Sequence, residues 1–220
     1  MKLSFPIVLT LALSTLMVGC SNAQKPATAF QRDAERHFKR GEFAEAVDNY
    51  QNVVNRFPGN WEAQYFLGVC HLELNRTYEA RQALEIAHTL RPANDEVAAA
   101  LAEAIFRDGD ENQLYSFLRE RAQSKQDVTS YLRLAHYSIE MGDPDSARKA
   151  IETAILLDNG ESVLPYLQAA SFSERIGDLE QAVTRLRQAY GIDPLDEAVK
   201  NRLRDLGEIP GPTLALPPGI

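Results

Sequence analysis

Apolar positions along this chain recur with a helical step, and the helical stretches themselves recur at a spacing of about 34 residues between 28 and 206. Pro58, Pro92 and Pro194 each close a unit, and Gly41, Gly109, Gly142 and Gly177 each mark the middle of one. Between those marks the order of residue types is constant: aromatic or large apolar, small, turn, Ala, large apolar, Ala, Pro. The second unit reads Leu67, Gly68, then Ala80, Leu84, Ala87 and Pro92; the fifth reads Tyr166, Ala169, Ala170, then Gly177, Ala182, Leu186, Ala189 and Pro194. No alternating strand pattern competes with the helical one. The fold class is therefore all-α, built from helix-turn-helix units.

The physical logic is that small residues sit where two helices must approach closely, while large apolar ones fill the space between neighbours. A single unit leaves an apolar face exposed, and stacking buries it. The closing Pro cannot continue a helix. Asp143 and Pro144, directly after Gly142, supply an N-cap and a first-turn Pro for the helix that follows. A unit of this length and order resembles the tetratricopeptide repeat (TPR). That resemblance implies a right-handed α-solenoid of about five units over 28–194, closed by a capping helix.

The pattern predicts helix pairs at 28–40 and 43–56, 61–74 and 77–90, 94–107 and 110–123, 128–141 and 144–157, and 162–176 and 179–191. A last amphipathic helix at 195–206 places Ala198, Val199, Leu203 and Leu206 on one face, as a solenoid cap requires. The third pair departs from the rule. Leu114 stands where the other units carry Ala, and Gln126 stands where they carry Pro or Asn, so its helices are expected to sit further apart. Residues 207–220, with four prolines and two glycines from Ile209 onward, have no helical period and are expected to be an extended or disordered tail. Within it, Leu214, Leu216 and Ile220 read either as a short docking motif or as part of a frayed terminus.

The amino terminus carries a different signal. Lys2 precedes an apolar or small run from Phe5 to Val18, shorter than a membrane span of roughly 20 residues, and the run ends in Gly19 and Cys20. Leu16 to Cys20 resembles the bacterial lipobox, with Met17 where that motif usually has Leu. The resemblance implies a signal peptide at 1–19, a lipidated Cys20 and a short linker to residue 27. Acyl chains contribute about 0.8 kcal/mol per buried methylene, so such an anchor is effectively permanent. Ser21 after the Cys implies the outer membrane, with the solenoid facing the periplasm. The alternative is an ordinary secretory leader cut after Ala23.

Composition narrows the function classes. The net charge of −8 gives no basic stripe for nucleic acid. Cys70, in the apolar stretch from Phe66 to Leu74, reads as a small core residue and not as half of a disulfide. The sequence has no phosphate loop, no His-Glu-x-x-His helix and no nucleophile elbow, so an enzyme, a cofactor and a small-molecule substrate are not expected. His37 and His71 occupy equivalent places in successive units, but no carboxylate or thiol stands at ligand spacing, and no metal site is expected. His88, near the end of a second helix, suits the helix dipole as a partly cationic ring. Arg32, Arg36, Lys39 and Arg40 form a cluster beside the tether, either a solvated face or a contact with anionic lipid.

What remains is surface. In tetratricopeptide proteins the first helices line a groove, and carrying those positions over gives Gln31, Glu35 and Phe38, then Tyr65, Val69 and Leu72. Ala99, Glu103 and Phe106 follow, then Leu132, His136 and Ile139, and finally Leu167, Ser171 and Glu174. Gln31 and Glu35 cannot form the carboxylate clamp of chaperone-tail binders. The partner-binding groove is expected at Tyr65, Val69, Leu72, Leu132, His136, Ile139, Leu167 and Ser171, apolar enough for an amphipathic helix or an extended segment. The reading is a non-enzymatic scaffold that binds partner proteins at the bacterial envelope. It resembles the lipoproteins that assist pilus or secretion-pore assembly. An adaptor for cell-wall enzymes and an unanchored periplasmic or secreted module are the alternatives.

Overall fold

The computed structural model describes residues 27–219. The leader, Cys20 and its linker through residue 26 lie outside the described residues, as does Ile220. Among the described residues there are eleven α-helices and no strand: α1 Ala27–Lys39, α2 Phe43–Arg56, α3 Trp61–Glu73, α4 Thr77–Leu90, α5 Asp95–Asp108, α6 Glu111–Lys125, α7 Val128–Glu140, α8 Pro144–Asp158, α9 Leu164–Arg175, α10 Leu179–Ile192 and α11 Glu197–Asp205. Odd-numbered helices up to α9 are first helices of units, and even-numbered ones are second helices.

Short polar side chains start most of these helices. Asn60, Asn94, Asp110, Asp127, Asp143, Asp178 and Asp196 each accept a backbone N–H two or three residues on, for example Asp127 from Ser130 N at 2.7 Å. Each such cap contributes about 1 kcal/mol, and the carboxylates also face the positive end of the helix dipole. Between the two helices of a unit the chain reverses through one left-handed residue, Gly41, Asn75, Gly109, Gly142 or Gly177, with φ of 54–81°. Where no Pro closes a unit, α6 and α8 instead end at left-handed Gln126 and Asn159, both with φ of 50°.

Packing follows the small-residue rule. Ala46, Ala80, Ala147 and Ala182, one per unit, are each 0% exposed. Gly68 on α3 is the closest approach of a pair: a Cβ there would lie 2.5 Å from Leu84 Cγ and 3.1 Å from the Ala80 carbonyl oxygen. Second helices then pack on the first helix of the next unit, α2 on α3 through α10 on α11. Two apolar blocks result. One runs from Ala34 through Tyr50 and Leu67 to Ala83; the other starts at Leu72, Ala80 and Leu84 and continues to Val199 and Leu203 of α11.

The third unit is irregular in a way that has a visible cause. Leu114 takes the place of the close-approach Ala and is fully buried, and α5 and α6 run close together over a much shorter stretch than α3 and α4 or α7 and α8. Arg121, which is buried, stands where the other units carry Val53, Ala87, Ala154 and Ala189. Its guanidinium donates to the carbonyls of Pro92 (2.7 Å) and Asn94 (3.3 Å) and to Asp95 Oδ1 (2.6 Å), and Lys125 Nζ reaches the same carboxylate at 2.6 Å. A polar clamp thus ties the end of α6 to the start of α5. Openings of about 250 Å³ and 380 Å³ flank α6 on its two sides.

Beyond α11 the chain does not fray. The expected disordered tail is extended but fixed: through residue 219 it turns back over α10 to the α8–α9 turn. Leu216 N donates to the Arg187 carbonyl at 3.0 Å, Arg187 Nε donates to the Leu214 carbonyl at 2.8 Å, and Leu214 packs at the edge of the large core. The correction has a physical reason. A segment with no helical period can still be ordered when side chains of a folded helix satisfy its backbone.

Candidate functional site

The first helices lie side by side, with α3 against α5 and α7 against α9, so their outward positions form one continuous face. Of the groove residues expected from sequence, Tyr65, Val69, Ile139 and Leu167 are half-buried on this face, whereas His136 and Ser171 are exposed. Leu72 and Leu132 are corrections. They are 6% and 7% exposed, Leu72 within the large core, and neither offers a surface. Both sit where a first helix meets its neighbour, and solenoid stacking consumes such positions.

The face is also less apolar than expected. Tyr137 on α7 donates its hydroxyl to Glu103 Oε2 on α5 at 3.0 Å, and Arg107 joins Glu103 at 2.6 Å while reaching back to the Leu72 carbonyl at 3.0 Å. Arg175 pairs with Glu140 at 2.5 Å, and Arg202 pairs with Glu174 at 2.8 Å and with the Leu167 carbonyl at 3.2 Å. These links join successive units and make a polar ladder along the face. Arg133 lies within electrostatic reach of Tyr137, and one of its buried guanidinium nitrogens has no hydrogen-bond partner. Burial and the adjacent Glu103 push the Tyr137 hydroxyl pKa well up. Glu140, held by Arg175, stays below the usual carboxylate range. The ladder was signalled in the sequence by complementary residues one unit apart, such as Glu103 with Tyr137 and Glu140 with Arg175.

Large apolar side chains that are well exposed lie elsewhere. Among the described residues they include Phe57, Ile86 and Leu90 near the ends of second helices, Leu156, Leu157 and Leu164 around the α8–α9 turn, and Ile176 and Leu179 at the turn of the fifth unit. Ile86 and Leu90 border an open depression with Pro58 and Gly59.

The titratable groups away from the face give little reactive chemistry. Burial pushes the Cys70 thiol up to about 12, so it is a packing residue and a poor thiolate. His37 is bound to Glu42 at 2.6 Å and His71 is buried, and no cluster of three or more potential metal ligands occurs among the described residues. His88 corrects the dipole expectation. Its ring packs edge-on against Phe117 with centroids 5.2 Å apart, and burial first, then Arg121, lowers its pKa. Burial also lowers that of His71.

Both rings are therefore neutral in the folded state and take up a proton more readily when unfolded. Stability is fully present above the unfolded value near 6.5 and is lost as pH falls through the lower folded values. The melting temperature should drop between pH 7 and pH 5, and His71→Leu with His88→Leu should flatten that slope. A melting curve that ignores pH in this window would contradict the burial argument. Asp95 and Glu140 have lowered values, and their contribution is lost only in the more acidic carboxylate range.

Residues 34–95 and 128–161 match tetratricopeptide repeat family models. Those two stretches of the chain are tetratricopeptide repeats. Solved structures of similar fold include MamA from Desulfovibrio magneticus RS-1, 15% identical with a TM-score of 0.60 over 78% of this chain and 97% of that one. A thermophilic TPR protein of Thermus thermophilus is 17% identical with a TM-score of 0.56, covering 82% and 98%. A tetratricopeptide repeat protein of Parabacteroides merdae is 17% identical with a TM-score of 0.56, covering 84% and 72%. At these identities the likeness concerns the fold. No curated protein matches the sequence. The TPR architecture is a protein-interaction scaffold, and on it the first-helix face is the surface that the stacking of units creates. No helix among the described residues is long and apolar enough to cross a membrane.

Proposed function

We propose that the chain is a non-catalytic scaffold of the bacterial envelope, anchored in the outer membrane through lipidated Cys20 and binding partner proteins along its first-helix face. The observation that carries this reading is the row of half-buried side chains Tyr65, Val69, Phe106, Ile139 and Leu167 set beside the polar ladder of Glu103, Arg107, Glu140 and Arg175. Such a surface offers apolar contact together with fixed charges that set register, as a peptide or helix partner needs. The resemblance of Leu16 to Cys20 to the lipobox, and of the whole architecture to tetratricopeptide lipoproteins that assist pilus or secretion-pore assembly, supports partner capture next to the membrane.

The test is cross-linking in the native envelope with identification of the captured chains. Val69→Glu and Ile139→Glu should lose capture, because each buried apolar contact contributes on the order of 1.5–3 kcal/mol and an unpaired carboxylate there is penalised. Glu79→Arg and Glu152→Arg on second helices should capture as the wild type does. Equal capture by all four removes the face from consideration. Cys20→Ser should release the protein from the membrane fraction; a mature amino terminus at Gln24 without acyl mass would instead leave an unanchored module.

A further inference from the structure

The cleft under the carboxy-terminal segment is built differently from the rest of the second-helix surface. Arg185 and Gln188 on α10 are 7% and 8% exposed, and Arg185 forms no ion pair with any carboxylate among the described residues. Arg185 donates to Gln188 Oε1 at 3.0 Å, and both side chains also reach main-chain carbonyls of the tail. Arg185 donates to Gly219 O at 2.9 Å, and Gln188 Nε2 donates to Gly219 O at 3.2 Å and Pro217 O at 3.4 Å. The buried Tyr166 hydroxyl accepts from Gly219 N at 3.1 Å. Pro218 sits against Gly160 and lines, with Ile155, Leu156 and Tyr166, a cavity of about 140 Å³. Gly191 admits the segment because it has no side chain: a Cβ there would collide with the Leu216 carbonyl oxygen.

These groups recognise an extended, proline-containing backbone, the chemistry by which polyproline-type segments are bound. The stretch that leads into the segment is tied only locally. Between α11 and Leu214 its backbone makes only short-range turn bonds, such as Glu208 N to Leu203 O and Leu214 N to Gly211 O, among Pro210, Gly211 and Pro212. It can leave without unfolding a helix. Once it leaves, Arg185 keeps its bond to Gln188 Oε1, while the Gly219 and Pro217 carbonyls and the Gly219 amide are lost to Arg185, Gln188 and Tyr166, which then present free donors and an acceptor to an incoming backbone.

We propose that this cleft is a second binding site, for an extended Leu-x-Leu-Pro-Pro-Gly type segment of another polypeptide, and that residues 208–219 are its resident competitor. The site is separate from the first-helix face and does not depend on that reading. A tethered competitor acts at an effective concentration on the order of millimolar, so the closed chain binds an outside segment weakly, and any change that frees the tail raises affinity.

The probe is a fluorescent peptide with the sequence of residues 208–219, titrated by anisotropy against the full chain. Leu214→Asp with Leu216→Asp, which disables the tail and leaves the cleft intact, should bind the probe about tenfold or more tightly than the wild type. Adding Gly191→Ala should abolish binding while preserving α10, since Ala is the better helix former. Equal affinity of wild type and the Asp pair overturns the proposal. In case the Asp pair loosens α10, hydrogen exchange of the wild type gives an independent reading. Millimolar unlabelled peptide should accelerate exchange at the Leu216 and Gly219 amides and leave Leu186 and Ala189 protected, and unchanged tail exchange at that concentration likewise overturns it.

Discussion

Gly68→Trp is expected to lower the stability of the array by about 3 kcal/mol or more, and Ala182→Trp by a similar amount. At Gly68 even a methyl group meets Leu84 Cγ at 2.5 Å and the Ala80 backbone at 3.1 Å, and Leu84 is fully buried with nowhere to go. An indole ring must therefore separate α3 from α4. That separation would expose the apolar contacts that hold the second unit to its neighbours, so the loss is not confined to one pair. Urea unfolding followed by far-UV circular dichroism measures it. Gly68→Ala should cost less than the Trp variant, about 1–3 kcal/mol, and still be felt, because Leu84 Cγ is not the far end of a flexible chain. Unchanged midpoints would mean that the pair is looser than described.

Leu114→Ala is the second large effect, and its sign separates two ways of reasoning. Restoring the repeat pattern would suggest stabilisation, since Ala46, Ala80, Ala147 and Ala182 hold the same place. The packing argues the reverse. Leu114 is fully buried in a core that has already been arranged around it, with Leu118 and Ile105 in the same cluster. Arg121 and Lys125 also fix the end of α6 on Asp95, which resists its collapse onto α5. The lost side chain leaves a cavity, and the expected cost is about 2–4 kcal/mol. A raised denaturation midpoint would show that α6 can close up after all.

Much of this architecture was legible in the sequence. The small residues, turn residues and closing prolines report backbone geometry directly, and so the helix bounds fall within two residues of the ranges read from the pattern. The looseness of the third unit was legible from Leu114 alone. The clamp by Arg121 was not, because a basic residue near a helix end ordinarily points to solvent. The groove was read only coarsely: position in a unit does not say whether a side chain such as Leu132 is spent on stacking or left for a partner. The tail escaped for a related reason. Its order comes from Arg185, Gln188 and Tyr166 addressing carbonyl and amide groups, and backbone polar groups are the same in every sequence.

The third unit also bears on how the whole array responds to load. Because each unit touches only its neighbours, a bend or pull applied to one end is transmitted through every pair interface in turn, and the most compliant interface takes the largest share. The α5–α6 pair is among the sparsely packed interfaces, tied at one end by a guanidinium and an ammonium on a single carboxylate and at its turn by Arg81, which reaches Asp108 and Gln113. A bend that opens that pair must break the Asp95 contacts, and these weaken with ionic strength because Asp95 is half exposed.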